Sequence, residues 1–130
     1  MRFLLDTHCW LWMQVSPERI PAAVLDQLTH PESALFLSAA SSWEIAIKWA
    51  LGKLPLPLAP AEYVPRCLER QGIVGLPVQH RHALHTANLP PHHNDPFDRL
   101  LLAQAQTEKL TLVTADEKLT AYDGVDLLKV

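Results

Sequence analysis

Short apolar runs alternate along this sequence with stretches of helical period, and that alternation restricts the fold more than any other feature. Arg2-Phe3-Leu4-Leu5 ends at Asp6, as a buried strand feeding a turn does. Ala34-Leu35-Phe36-Leu37, Leu110-Thr111-Leu112-Val113 and Val125 to Val130 read the same way, and Ile73 to Val78 is a weaker case whose Gly75 and Pro77 suggest a sheet edge. Prolines and glycines mark the helices between them. Ser16-Pro17 and Ile20-Pro21 open a helix carrying Val24, Leu25 and Leu28. From about Ala40 to Leu51 the apolar residues Trp43, Ala46, Ile47, Ala50 and Leu51 fall at i, i+3, i+4, i+7 and i+8, with Gly52 as the stop. Lys53 to Pro60, with three prolines, is an extended connection. Further helices are expected over Ala61–Gln71, ended by Gly72, over His80–Leu89, closed by Pro90-Pro91, and from Asp95-Pro96 to about Lys109. Strands and helices in this order predict an α/β fold: a mainly parallel central sheet with helices on both faces.

A chain of 130 residues suits one domain, 1–130, with a real core, and 48% hydrophobic with 19% charged residues excludes a disordered or collagen-like chain. Asp6 interrupts the apolar start before any cleavage-site pattern, and no apolar run approaches the roughly 20 residues that span a bilayer. A cytoplasmic protein is expected, with Cys9 and Cys67 as reduced thiols rather than a bridge. Fourteen acidic against eleven basic side chains give a net charge of −3, the wrong sign for binding nucleic acid by bulk electrostatics. Attraction to a polyanion would have to be local or supplied by metal ions.

Ligands of open α/β sheets bind beyond the carboxyl ends of the strands. Asp6 directly follows the first strand, and Asp116 follows another in Thr114-Ala115-Asp116. Asp98 heads the stripe of Leu101, Leu102 and Ala105, and Glu44 sits in the apolar run Trp43 to Ile47. Each acid also has an ordinary explanation. Ser41-x-x-Glu44 fits a capping box, Asp95-x-x-Asp98 a capping pair, Asp116 a turn and Asp6 a cap. Taken together the ordinary explanations weaken, because four acids at element ends, each beside apolar residues, would repel one another unless a cation stood between them. A carboxylate set without cysteine suits Mg²⁺ or Mn²⁺ better than zinc.

Leu4-Leu5-Asp6-Thr7-His8, Ser42-Trp43-Glu44-Ile45-Ala46-Ile47-Lys48, Asn94-Asp95-Pro96-Phe97-Asp98-Arg99 with the following Leu and Ala run, and Leu112-Val113-Thr114-Ala115-Asp116 resemble the four signature segments of PIN domains. Their order and spacing are most similar to the VapC-type toxins of bacterial toxin-antitoxin pairs. The resemblance implies a Mg²⁺-dependent endoribonuclease, with Mn²⁺ able to substitute. Its acidic quartet falls on Asp6, Glu44, Asp98 and Asp116, with Asp95 as the helix cap. It also implies a small antitoxin partner and a homodimer. The chemistry agrees, since hydrolysing a phosphodiester needs a water acidic enough to attack and positive charge beside the phosphate and the leaving oxygen.

Lys48, Arg99 and Lys53 are candidates to meet backbone phosphates, although such charges on a helix are commonly a solvated face. Thr7 and Thr114 carry hydroxyls beside the acids and are candidates to orient a water. His80, His82, His85, His92 and His93 crowd one short segment, but no cysteine lies nearby and only His82 and His85 have a facing offset, so zinc there is disfavoured. Trp43 fits the core stripe, while Trp10, Trp12 and Trp49 are core or antitoxin-surface candidates. The alternative is a non-catalytic acidic α/β module of the phosphoryl-receiver kind. It would want adjacent acids after the first strand, where this chain has Asp6-Thr7.

Overall fold

Phe3, Leu4 and Leu5 are all almost wholly buried, so the first strand has no face toward solvent and belongs in the middle of a sheet covered on both sides. The computed structural model, which describes residues 1–130, has it there. Strand β1 (Arg2–Leu5) lies between β2 (Ala34–Ser38) and β4 (Thr111–Thr114), with β3 (Val74–Leu76) and β5 (Leu127–Lys129) at the edges. The order is β3-β2-β1-β4-β5 and every pairing is parallel. Phe3 stands opposite Leu35 on one side and Thr111 on the other.

Alternate residues of β1 feed two cores. Phe3 and Leu5 join Cys9 and Trp10 of α1 (Thr7–Val15), Val24 and Leu28 of α2 (Ala22–Thr29), Ile45 of α3 (Ala39–Ala50), and Val64 and Cys67 of α4 (Pro60–Gln71). Leu4 points the other way, into Leu101, Leu102 and Ala105 of α6 (Pro96–Glu108), Leu112 and Leu119. A short helix α5 (His80–His85) continues as a 3₁₀ turn over Thr86–Asn88, where one helix to Leu89 was expected. Gly72 ends α4 in the left-handed conformation, φ 66°, that only glycine adopts without cost.

The sheet reverses direction at its centre. From β1 the chain builds β2 and β3 on one side, then crosses to add β4 and β5 on the other. A crevice therefore opens beyond the carboxyl ends of β1 and β4, which is where such sheets hold ligands. Asp6 and Asp116 are the residues that follow these two strands at that crevice.

Three expectations need correcting. Helix α1 was not anticipated, because its residues Cys9, Trp10, Leu11, Trp12 and Met13 are apolar on every side and leave no period to detect. Helix α3 is turned from the expected stripe. Ala40, Ser41, Glu44 and Ile45 face inward, while Trp43 is 62% exposed and Ala46 and Ala50 face solvent. A count of apolar residues cannot see that a helix buries its polar edge, and here it does. Trp10 is fully buried against Tyr63, so it is core and not partner surface; Trp12 is half-buried under Arg19, and Trp49 is exposed.

Candidate active site

Each acid at the crevice is positioned by the start of its own element. Asp6 Oδ1 accepts from the Cys9 backbone N–H at 2.7 Å and caps α1. Asp116 Oδ1 accepts from Lys118 N–H at 2.9 Å and caps the 3₁₀ turn Glu117–Ala121, while its own N–H donates to Thr114 Oγ1 at 3.1 Å. Asp95 Oδ1 caps α6 by accepting from Phe97 and Asp98 N–H at 2.8 and 3.3 Å. Capping and ligand duty are thus not rivals: one carboxylate oxygen satisfies the helix start and the other stays free of the cap. Asp98 does not cap. Its Oδ2 meets His93 Nε2 at 2.8 Å, and the same nitrogen lies 3.5 Å from Asp116 Oδ2.

Asp6, Asp95, Asp98 and Asp116 line one cleft of about 330 Å³ with His8, Trp12, His93 and Ala115. Burial lifts the Asp98 carboxyl to about 6; Asp95 and Asp6 push it the same way and His93 opposes them. A carboxyl raised in the folded state holds its proton there between about 3.8 and 6 while the unfolded chain has lost it. Its contribution to stability is therefore present below that window, falls as pH rises through it, and is gone above. Urea titrations in chelator should show wild type losing on the order of 1–2 kcal/mol relative to Asp98→Asn between pH 4 and 6.5, allowing for partial exposure. Parallel pH profiles for the two proteins would overturn this account.

Glu44 is 8% exposed but is not among the residues lining the cleft. Its carboxylate takes Lys48 Nζ at 2.8 Å, and the cap of α3 is Ser38, so the capping-box reading of Ser41 and Glu44 does not hold. Two contacts bring α3 alongside the crevice: Thr7 Oγ1 donates to Ser41 Oγ at 3.0 Å, and Trp43 packs edge-on against Phe97, 5.3 Å between ring centres. The Thr7 and Thr114 hydroxyls are thereby occupied within the protein, one joining α1 to α3 and the other fixing Asp116.

Arg99 departs most from expectation. Its guanidinium donates to the carbonyls of Thr86 (2.8 Å), Pro90 (2.9 Å), Leu89 (3.3 Å) and His93 (3.4 Å) and to Tyr122 Oη (3.3 Å). A fork so engaged straps down the loop before α6, with both terminal guanidinium nitrogens turned to that loop and to Tyr122 rather than outward to a phosphate. Tyr122 Oη also accepts from His93 N–H at 3.0 Å, so strap and tyrosine together hold His93 over Asp98. The other histidines disperse. His82 is fully buried, accepting from Gln79 N–H at Nδ1 (3.0 Å) and facing Glu108 through Nε2 (2.8 Å), and His85 faces Gln106 (2.7 Å). The Cys9 thiol is raised far above its ordinary range by burial and by Asp6, which makes it an inert neighbour.

His93 was missed as a site residue. It lies in Pro90-Pro91-His92-His93-Asn94, a stretch with no period, and the available signal was its closeness to the Asp95-Pro96 cap. His8 was passed over in the same way, the second residue of an unrecognised helix.

Comparison with known proteins adds to this geometry. The model of the PIN domain family matches residues 3–125. Ribonuclease VapC16 of Mycobacterium tuberculosis is 41% identical over 76 residues, 53% of this chain and 54% of that protein, so the match spans about half of that relative's length. Ribonuclease VapC22 of the same organism is 28% identical over 120 residues, covering 92% of this chain and 90% of that one. Among solved structures, VapBC2 from Rickettsia felis bound to a promoter DNA fragment aligns with a TM-score of 0.75 at 14% identity, covering 100% and 99% of the two chains. FitAcB from Neisseria gonorrhoeae aligns at 0.66 and 22%, covering 98% and 96%. At such identities these structures speak to the fold.

Proposed function

The chain belongs to the PIN domain family, and from that premise we propose that it is a Mg²⁺-dependent endoribonuclease serving as the toxin of a toxin-antitoxin pair. The observation that carries the reading is the convergence of Asp6, Asp98 and Asp116 on one cleft at the switch point of the sheet. The carboxylates suit a hard divalent ion: ligand atoms of Asp98 and Asp116, with His93 beside them, lie within 4.8 Å of one another, and burial, aided by Asp95 and Asp6, disfavours an ionised Asp98 with no cation beside it. Bound there, Mg²⁺ or Mn²⁺ would supply an acidified water and neutralise charge building on the phosphate and leaving oxygens.

The residues of the chain do the holding. Asp6 is fixed by its cap on α1, Asp116 by its cap and by Thr114, and Asp98 by the first turn of α6. Glu44 is the proposed fourth acid, offered from α3, where its carboxylate is paired with Lys48. Two divalent ions would change the formal charge from −3 to about +1, which makes the rim attractive to phosphate. The nuclease domain is taken as 1–130 and its compartment as the cytoplasm; no helix is long and apolar enough to cross a membrane. Partner expectations follow the relatives: the Rickettsia felis and Salmonella typhimurium neighbours are VapBC structures bound to DNA, and a small antitoxin with homodimerisation is proposed here by similarity.

Bulk RNA incubated with the protein and Mg²⁺ or Mn²⁺ should be cut internally, and chelator should stop the reaction. RNA left intact by a folded, metal-binding protein would favour a binding module and refute the nuclease.

A further inference from the structure

The cleft is not purely carboxylate. His93 Nε2 sits 2.8 Å from Asp98 Oδ2 and 3.5 Å from Asp116 Oδ2, deeper than a passing surface side chain, with its ring 12% exposed. Donor atoms about 2.1 Å from one ion stand roughly 3 Å apart when adjacent in an octahedral shell. The two separations from Nε2 bracket that value and all three donor atoms lie within 4.8 Å of one another, so a single ion could touch all three. The loop geometry is arranged for it as well: the His93 backbone is tied on both sides of its Cα, N–H to Tyr122 and carbonyl to Arg99.

Resting on the reading of this cleft as a metal centre, we propose that His93 is a nitrogen ligand of the ion, making the centre His/Asp/Asp in character and biasing it toward Mn²⁺ over Mg²⁺. Coordination uses the Nε2 lone pair, with the ring proton on Nδ1. Imidazole is a borderline donor that suits transition metals, whereas Mg²⁺ keeps to oxygen and water. A histidine that only hydrogen-bonds Asp98 would orient that carboxylate and leave the choice of metal unchanged.

Pulsed electron paramagnetic resonance of the Mn²⁺-loaded full chain separates the two. Expected is a ¹⁴N coupling from ligated imidazole in wild type that survives His8→Gln, the other histidine at the cleft, and disappears in His93→Gln. Calorimetry on the same proteins should show His93→Gln losing about tenfold or more in Mn²⁺ affinity while Mg²⁺ affinity changes about twofold at most. Coupling that persists in His93→Gln, bound Mn²⁺ without ¹⁴N coupling in wild type, or equal losses for both metals would overturn the proposal. Asp98→Asn keeps its failure distinct from that of the metal centre itself. If Asp98→Asn weakens Mn²⁺ binding and His93→Gln does not, the centre stands and His93 is no ligand. Where neither variant weakens binding, or wild type binds no Mn²⁺, the centre falls and the ligand proposal with it.

Discussion

Asp98→Asn is expected to reduce metal-dependent RNA cleavage by at least about a hundredfold, since losing even a contact that supports a metal ligand costs 10–100-fold. The fold should survive, because the exchange removes charge and little volume and the α6 cap belongs to Asp95. Asp6→Asn, Asp116→Asn and Glu44→Gln should be similarly inactive. Asp95→Asn should be far milder, since Asn caps as well as Asp. Activity loss alone does not identify a ligand, so melting curves belong beside it. In chelator at neutral pH, Asp98→Asn should melt above wild type, because it is relieved of a carboxylate that resists ionising chiefly because it is buried, and further because Asp95 and Asp6 lie near it. Metal adds stability only to the form that binds it, roughly 2.7 kcal/mol at a hundred times the dissociation constant, and the variant should forfeit much of that gain. Equal Mn²⁺-induced shifts in the two proteins would remove Asp98 from the centre.

Arg99→Met should cost about 3–4 kcal/mol of stability, the largest loss expected from any single polar replacement in this chain. Methionine keeps the stem's volume but leaves the carbonyls of Thr86, Leu89 and Pro90 without the donor that gathers them, and hydrogen bonds from a charged donor contribute roughly 1.5–3 kcal/mol each, less than additively. The 86–93 loop should become the first segment to exchange amide hydrogens, and Mn²⁺ binding should weaken with it as His93 loses its anchor. Arg99→Lys should rescue little, because a single ammonium cannot span acceptors from Thr86 to Tyr122. A variant as stable as wild type would mean that the strap is ornamental and that Arg99 is free for substrate after all.

The contrast between Arg99 and Asp98 shows what the sequence could carry. Strand order, the helices other than α1, the Asp95-Pro96 start of α6 and the placing of Asp6 and Asp116 after strands were legible, because each depends on neighbours within a few residues. The partners of Arg99, one residue beyond Asp98, were not legible because its five acceptors come from positions between 86 and 122, and no local pattern announces them. The rotation of α3 was hidden for a related reason. Ser41 is drawn inward by Thr7, a partner 34 residues away, and Glu44 follows on the same face, so polarity predicted the wrong side. His93 joins the acids only because the strap bends its loop back on the sheet, and that too is a long-range fact.

The division of labour inside the capping carboxylates has an implication for how such a protein can fail. With Oδ1 of Asp6 and Asp116 holding a helix start, an amide at either position should preserve the shape and, on the proposed reading of the cleft, silence the chemistry, whereas an alanine should disturb both at once. A protein whose activity harms its own cell could thus be disarmed by exchanging one oxygen for nitrogen and still present an intact surface to whatever restrains it. If the proposed activity holds, its loss and the loss of structure are separable at the level of a single atom.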